Sequence, residues 1–185
     1  MPLSTPAERE KLHTRVITCQ GYKRADGLYD IEGHMVDTKS FDFPNQHRGG
    51  VIKKGEALHD MWARITIDKS LLIHDAEACI DYAPYNYCHS ISDIFKSLIG
   101  VQIARGWRKK TQLLMGGTKG CTHLTELLGP MATTAYQTLS SEIFGRQEET
   151  SYPQQLLNTC HSLAESSPVI KEFWPQAYKP KPTNE

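Results

Sequence analysis

Residues 61–68 read Met61-Trp62-Ala63-Arg64-Ile65-Thr66-Ile67-Asp68, a stretch in which apolar and polar positions alternate. On an extended chain, successive side chains point to opposite faces, so Met61, Ala63, Ile65 and Ile67 share one side. Antiparallel sheets commonly bury one face and leave the other in water. The stretch therefore predicts a strand of an antiparallel sheet with one covered side.

Three further strands are predicted around this one. Residues 15–22 and 28–38 flank Arg24-Ala25-Asp26-Gly27, and Asp-Gly is a strong hairpin signal. A glycine-rich polar connection over residues 40–56 leads to residues 61–68, and Lys69-Ser70 separates that strand from residues 71–82. The sequence thus predicts two strand pairs in the N-terminal part of the chain.

Beyond Pro84 the apolar residues recur with a period of about 3.6, which is typical of helices. The predicted helices cover residues 91–104, 122–144 and 153–164, with a kink or short break at Gly129-Pro130. Strands followed by helices indicate the α+β class, with helices packed on one face of the sheet. We expect one domain over residues 1–178 and a flexible tail over residues 179–185.

The composition narrows the functional class. The chain has 185 residues, 39% of them hydrophobic and 23% charged, and a formal net charge of zero, as in an ordinary globular protein. This balance gives no reason to expect nucleic acid as a partner. The N-terminus lacks the apolar core of a signal peptide, and no stretch reaches the roughly 20 apolar residues of a membrane span. We therefore expect a cytoplasmic protein with no membrane partner.

Five cysteines are present at wide spacing, without a Cys-x-x-Cys pair. An odd number at such spacing disfavours both a disulfide framework and a locally assembled zinc finger. Any site must then be built by tertiary folding. For Cys19, Cys79 and Cys160 we favour the role of simple buried hydrophobes.

Two cysteines precede predicted helices. Cys121 follows a glycine-rich loop and stands two residues before His123, and Cys88 precedes His89. The positive end of a helix dipole favours a thiolate, and thiolate and neutral imidazole suit zinc or iron. Cysteine is also among the most frequently buried residues, so a packing role stays open for both.

Polar residues on the predicted strands supply further candidates. His59-Asp60 stands directly before the strand at Met61, where the pair could act as a metal ligand, a general base or a surface ion pair. His34 lies on the same predicted strand face as two carboxylates, and it is kept with Asp37 as a reserve candidate for acid-base work. A solvated sheet face is the alternative.

Two other clusters are open to a binding role. Residues 105–110 read Arg105-Gly106-Trp107-Arg108-Lys109-Lys110, which could receive a phosphate-bearing ligand or an acidic partner, or could form a polar helix face. Tyr82, Tyr85 and Tyr87 surround Pro84 and could line an aromatic-substrate pocket or occupy half-buried positions.

Several segments resemble a known bacterial family, domain of unknown function 2889. They are residues 21–34, His59-Asp60-Met61-Trp62-Ala63-Arg64 and Gly120-Cys121-Thr122-His123-Leu124. The resemblance extends from about residue 15 to residue 144. It implies no established activity, and it brings an association with genes for aromatic-compound breakdown.

Residues 58–139 are also similar in order to iron-sulfur scaffold proteins of the NifU type. Leu58-His59-Asp60 takes the place of their Cys-Gly-Asp loop, Cys88 that of the cysteine before a helix, and Gly120-Cys121 that of the His-Cys pair. The resemblance implies a NifU-like arrangement of strands and helices, with Asp60, Cys88 and Cys121 as ligands. The first scaffold cysteine is missing and the His-Cys order is changed, which leaves a mixed Cys, His and Asp site.

Three functions follow from these features. The first is a metalloenzyme for a small organic substrate, aromatic ones included, in which Cys88 and Cys121 hold zinc or iron with His59 or His123. Asp60 is then a fourth ligand or the base that activates a metal-bound water.

The second function is a metal-free enzyme for acyl or thioester chemistry, with Cys121 as nucleophile and His123 or His59 as its base. The third is a non-enzymatic scaffold or carrier for an iron-sulfur cluster. The catalytic candidates are thus Asp60, His123 and His34, and the metal candidates are His59, Cys88 and Cys121. The oligomeric state is left open.

Overall fold

The computed structural model describes residues 3–143 and 157–181. The chain forms two compact units, Met1–Leu139 and Ser140–Glu185. The first unit carries a four-stranded sheet, a small hairpin and two helices. Its strands are β1 (His13–Lys23), β2 (Tyr29–Lys39), β3 (Phe43–Asn45), β4 (Gly50–Ile52), β5 (Ala57–Ile67) and β6 (Ile73–Tyr82).

The large sheet has the order β1-β2-β5-β6, with every neighbouring pair antiparallel. Both predicted strand pairs are therefore confirmed, and the protein is α+β. The Arg24-Ala25-Asp26-Gly27 turn closes the first hairpin, and Gly27 adopts a φ of 87°, which glycine reaches without strain. Strands β3 and β4 form a second, two-stranded sheet inside the predicted polar connection, which the sequence did not indicate.

One face of the large sheet is covered, as the alternation of residues 61–68 predicts. Met61, Ile65 and Ile67 on β5 are fully buried, and Trp62 between them is 41% exposed. On β2 the buried positions likewise alternate with half-buried ones. The covered face thus holds the core of this unit, and the other face is open to solvent.

Helix α2 (Thr122–Thr138) packs on β1, β2 and β5 with six buried side chains. It runs through Pro130 without being divided, although the sequence left a break at Gly129-Pro130 open. Pro130 lacks an N–H, and its ring crowds the residue before it. That residue is Gly129, which has no Cβ, so the helix continues.

Close contact between this helix and the sheet depends on glycine. A Cβ placed on Gly33 would lie 2.8 Å from Met131 Sδ, and one on Gly21 would overlap Thr138. Small residues at these two sheet positions therefore set how near α2 approaches β1 and β2.

The predicted helix over residues 91–104 is a 3-10 segment, Asn86–Leu98, packed on β6. It stops early because Gly100 takes a φ of 79° and the following residues extend. Ile73 donates its N–H to the Val101 carbonyl, and Ile103 donates to Leu71. Helix α1 (Trp107–Met115) comes next, and the Trp107 indole N–H donates to the Leu128 carbonyl of α2 at 3.0 Å.

The second unit contains α3 (Ser140–Ile143), a 3-10 turn (His161–Leu163) and α4 (Pro168–Phe173). The predicted helix over residues 153–164 lies partly outside the described residues. Its described part, residues 157–164, holds turns and the 3-10 turn, so the α-helix is wrong there. Helix α4 begins where Ser167 accepts the Ile170 N–H and Pro168 takes the first helical position.

Of the predicted tail, residues 182–185 lie outside the described residues. Lys179 donates its backbone N–H to Glu165. Within the described part of the chain, no helix combines the length and the apolarity that crossing a membrane requires.

Candidate metal centre

A carboxylate on the covered sheet face forms the centre of the site. Asp37, on β2, is 1% exposed and lies opposite Arg15 in the β1–β2 register. Arg15 donates Nε to Oδ1 at 2.7 Å and Nη2 to Oδ2 at 2.8 Å, and His13 Nε2 lies 3.2 Å from Oδ1. Burial acts to raise the pKa of Asp37, but the hydrogen bonds and charge of Arg15, aided by His59, lower it to about 2. The carboxylate is therefore ionised at neutral pH.

His59 lies beside this carboxylate on the neighbouring strand. It is the cross-strand partner of Asp37 on β5, and its Nδ1 lies 2.9 Å from Asp37 Oδ2. The residue is 8% exposed. Burial and the nearby His123 lower the pKa of His59, against the opposing effect of Asp37. The neutral imidazole, which is the form that binds metals, is thereby favoured.

His123 approaches the same carboxylate from the helix. It stands in the first turn of α2, with Nε2 4.0 Å from Asp37 Oδ2. Its ring centroid lies 3.8 Å from that of His59, at an interplanar angle of 32°. Burial and then the charge of Arg15 lower the pKa of His123.

Asp37, His59 and His123, called here the metal group, each offer one ligand atom, and these atoms all lie within 4.8 Å of one another. Among the residues that the structure describes, no other set of three or more His, Cys, Asp or Glu side chains meets this geometry. Two imidazoles and one carboxylate are ligands that zinc and iron accept. The donor set therefore fits a divalent metal ion.

Cys121 stands next to the metal group without being part of it. It occupies the position before α2, its side chain makes no capping hydrogen bond, and Sγ lies 3.9 Å from His123 Nδ1. The His123 ring thus lies between a thiol on one side and the Asp37 carboxylate on the other.

The other predicted site residues lie elsewhere. Cys88 belongs to the 3-10 segment on β6. His34 and Asp60 are on the open face of the sheet, where His34 Nε2 lies 2.7 Å from Asp60 Oδ1 and the His34 ring stacks on Trp62 at 3.5 Å. His59 and His123 are therefore brought together, whereas Cys88, His34 and Asp60 are not part of the metal group. Whether any of these residues binds a metal or acts in catalysis stays a prediction.

Sequence reasoning missed three contributors and ranked a fourth low. Arg15, His13 and Glu126 were not singled out, and Asp37 was only a reserve candidate. Arg15 joins two of these residues, because it forms ion pairs with both Asp37 and Glu126. In the observed hairpin Arg24 faces Leu28, and this register pairs Arg15 with Asp37. Counting outward from Asp26-Gly27 as a two-residue turn would have paired Arg15 with Thr38, so this ion pair carried no usable sequence signal.

Comparison with known proteins gives a family and no activity. A family model described as "Protein of unknown function (DUF2889)" matches residues 13–137. No curated protein and no solved structure matches the chain. The similarity to NifU-type scaffold proteins and the association with aromatic-compound breakdown thus find no support. Because the match covers more than half of the chain, including all three residues of the metal group, the protein belongs to the DUF2889 family.

Proposed function

We propose that this protein is a metal-dependent enzyme for a small organic substrate, with zinc or iron held by Asp37, His59 and His123. The observation that carries the proposal is the convergence of three ligand-type side chains from β2, β5 and α2 within 4.8 Å. Two of the three side chains, Asp37 and His59, are buried, and His123 reaches them from the first turn of α2.

The spacing of the donor atoms supports this proposal. Ligands on one tetrahedral ion with bonds near 2.1 Å lie about 3.4 Å apart. Asp37 Oδ2 lies 2.9 Å from His59 Nδ1 and 4.0 Å from His123 Nε2. Small side-chain movements would therefore bring the three atoms to the spacing of ligands on one ion.

Three protein ligands leave coordination positions open, as in catalytic rather than structural zinc sites and in iron sites with two histidines and a carboxylate. A bound divalent ion there supplies Lewis-acid chemistry and a more acidic water. Arg15 donates hydrogen bonds to both Asp37 oxygens and His13 contacts one of them, and carboxylates that bind metals are commonly hydrogen-bonded by such neighbours. Arg15 is thus a positioning residue in this proposal.

A second candidate function rests on the contact between Cys121 and His123. Cys121 Sγ lies 3.9 Å from His123 Nδ1, and His123 Nε2 lies 4.0 Å from Asp37 Oδ2. A nucleophile, its base and an orienting carboxylate have this order in enzymes of acyl transfer, and their contacts are often loose without substrate. This alternative needs no metal.

Elemental analysis of protein purified without chelator distinguishes the metal-dependent enzyme from the cysteine enzyme. We expect near-stoichiometric zinc or iron in the wild type, and its loss in His59→Gln and His123→Gln. His34→Gln is the matched control, because this half-buried histidine also contacts a carboxylate but lies on the open face. Metal-free wild-type protein, or full metal content in His123→Gln, would refute the metal proposal.

The cysteine alternative predicts a different result in the same preparations. In the wild type, Cys121 would then be alkylated selectively at mildly acidic pH, and the metal content would be negligible. The His123→Gln variant would lose this selective alkylation. A Cys121 thiol of ordinary reactivity would count against that alternative.

A further inference from the structure

A cleft between α1 and the first half of α2 has no role in the metal group itself. Its volume is about 570 Å³, within the range of small-molecule sites. Twelve residues from the two helices and the loop between them line it, and the most informative are Trp107, Arg108, Gln112, Thr122, Glu126 and Pro130.

The walls of this cleft differ in polarity. Trp107 and Pro130 supply apolar surface, and the Trp107 indole N–H is already used in its hydrogen bond to Leu128. Gln112 and the hydroxyl of Thr122 add groups that can form hydrogen bonds. Such a mixture suits a ligand with an apolar body and one polar end.

The charges in the cleft indicate the sign of that polar end. Glu126 is compensated, because it forms an ion pair with Arg15. Arg108 is exposed and makes no ion pair with any residue that the structure describes. Thr122 opens α2, whose first turn carries the positive end of the helix dipole. One uncompensated guanidinium and one helix start in the same cleft favour a singly charged carboxylate, to which arginine can bind with two parallel hydrogen bonds.

The cleft also adjoins the metal group. Thr122 precedes His123 in the chain, and Glu126 contacts Arg15, which in turn holds Asp37. A ligand in the cleft therefore lies against the same helical turn that delivers His123.

We infer that the α1–α2 cleft binds a small organic carboxylate, with Arg108 on the carboxylate group and the apolar body against Trp107 and Pro130. That this ligand is the substrate rests on the proposed function. Binding itself does not, so it can be tested on chelator-treated protein.

The test is an NMR titration of the tryptophan indole N–H signals, of which the chain has three. Trp107→Phe assigns the signal of the cleft. Benzoate is the probe, and benzyl alcohol and benzylamine keep the ring while changing the charge of the end group. We expect benzoate to shift the Trp107 signal saturably, with a dissociation constant on the order of 1 mM, and to leave the signal of Trp62, on the open face of the sheet, in place. The neutral and cationic analogues should bind at least about tenfold more weakly.

The matched variants are Arg108→Gln and Lys109→Gln. Both remove one exposed positive charge from α1, but Lys109 does not line the cleft. Benzoate affinity should fall about tenfold in the first and stay unchanged in the second. Any of three results would overturn the inference: equal loss of benzoate affinity in the two variants, no response of the Trp107 signal to benzoate, or benzylamine binding as tightly as benzoate.

Two controls separate this inference from the metal proposal. Inorganic phosphate that shifts Trp107 more strongly than benzoate would show that the carboxylate class is wrong. His123→Gln should lose metal and still bind benzoate, because the cleft residues are unchanged. Wild-type protein that contains no metal when purified without chelator, but that binds benzoate, would support the cleft inference and remove the metal proposal.

Discussion

Replacing Arg15 by glutamine should destabilise the protein and change how its stability depends on pH. The substitution removes both guanidinium hydrogen bonds from Asp37, which is 1% exposed. Breaking a buried ion pair by removing one partner costs about 3 to 5 kcal/mol. Because the Arg15 side chain itself is 31% exposed, we expect a smaller loss than for a fully buried pair, about 2 to 3 kcal/mol at pH 7.

The pKa of Asp37 gives a second estimate of this magnitude. Its lowering from 3.8 to about 2 corresponds to about 2 kcal/mol. The folded state binds fewer protons than the unfolded state in this range, so the contribution is fully present above pH 3.8 and is lost as the pH falls toward 2. In Arg15→Gln most of this acid dependence should disappear.

Urea unfolding of metal-free protein at pH 7, 5 and 3 measures both effects. Arg24→Gln is the control, because Arg24 also pairs with two carboxylates, Asp26 and Asp30, but at the surface. We expect little change from this control. Asp37→Asn completes a double-mutant cycle, in which the coupling energy with Arg15 isolates the pair. An Arg15→Gln variant within about 0.5 kcal/mol of the wild type at pH 7 would refute the account of Asp37 as a buried carboxylate held by Arg15.

Three further predictions concern the packing of α2 and the metal group. Gly33→Ala should cost about 1 to 3 kcal/mol, because its Cβ would meet the buried Met131 side chain, and an unchanged urea midpoint would contradict this contact. Trp107→Phe should cost about 1 kcal/mol in the same assay through loss of the hydrogen bond to the Leu128 carbonyl, whereas a stabilised variant would show that this bond contributes nothing. Burial lowers the pKa values of both histidines of the metal group from the usual 6.5, so in a dialysis series of falling pH the loss of metal should begin only below pH 6.5, and release that begins above pH 6.5 would contradict neutral imidazoles.

The sheet was predictable from sequence because its periodicity is local. Alternation over residues 61–68 and the turn at Arg24-Ala25-Asp26-Gly27 specify strands and a hairpin without reference to distant residues. The segment after Asn86 shows the opposite case. Its apolar spacing fits an α-helix, but pairing of Val101 and Ile103 with the start of β6 overrides that local preference.

The candidate site was predictable only in part for the same physical reason. His59 and His123 could be singled out by their positions at a strand start and a helix start. Their meeting with Asp37 depends on the β2–β5 register and on how α2 docks. Neither is encoded in a short stretch, because the β3–β4 hairpin separates β2 from β5 and α2 follows much later in the chain.

X-ray absorption spectroscopy of the purified metal-bound protein measures directly whether Asp37, His59 and His123 bind one metal ion. We expect only nitrogen and oxygen ligands at about 2.0 to 2.2 Å, together with the multiple scattering of two imidazoles. Sulfur at about 2.3 Å would place Cys121 or Cys88 on the metal instead and contradict the two-histidine, one-carboxylate site.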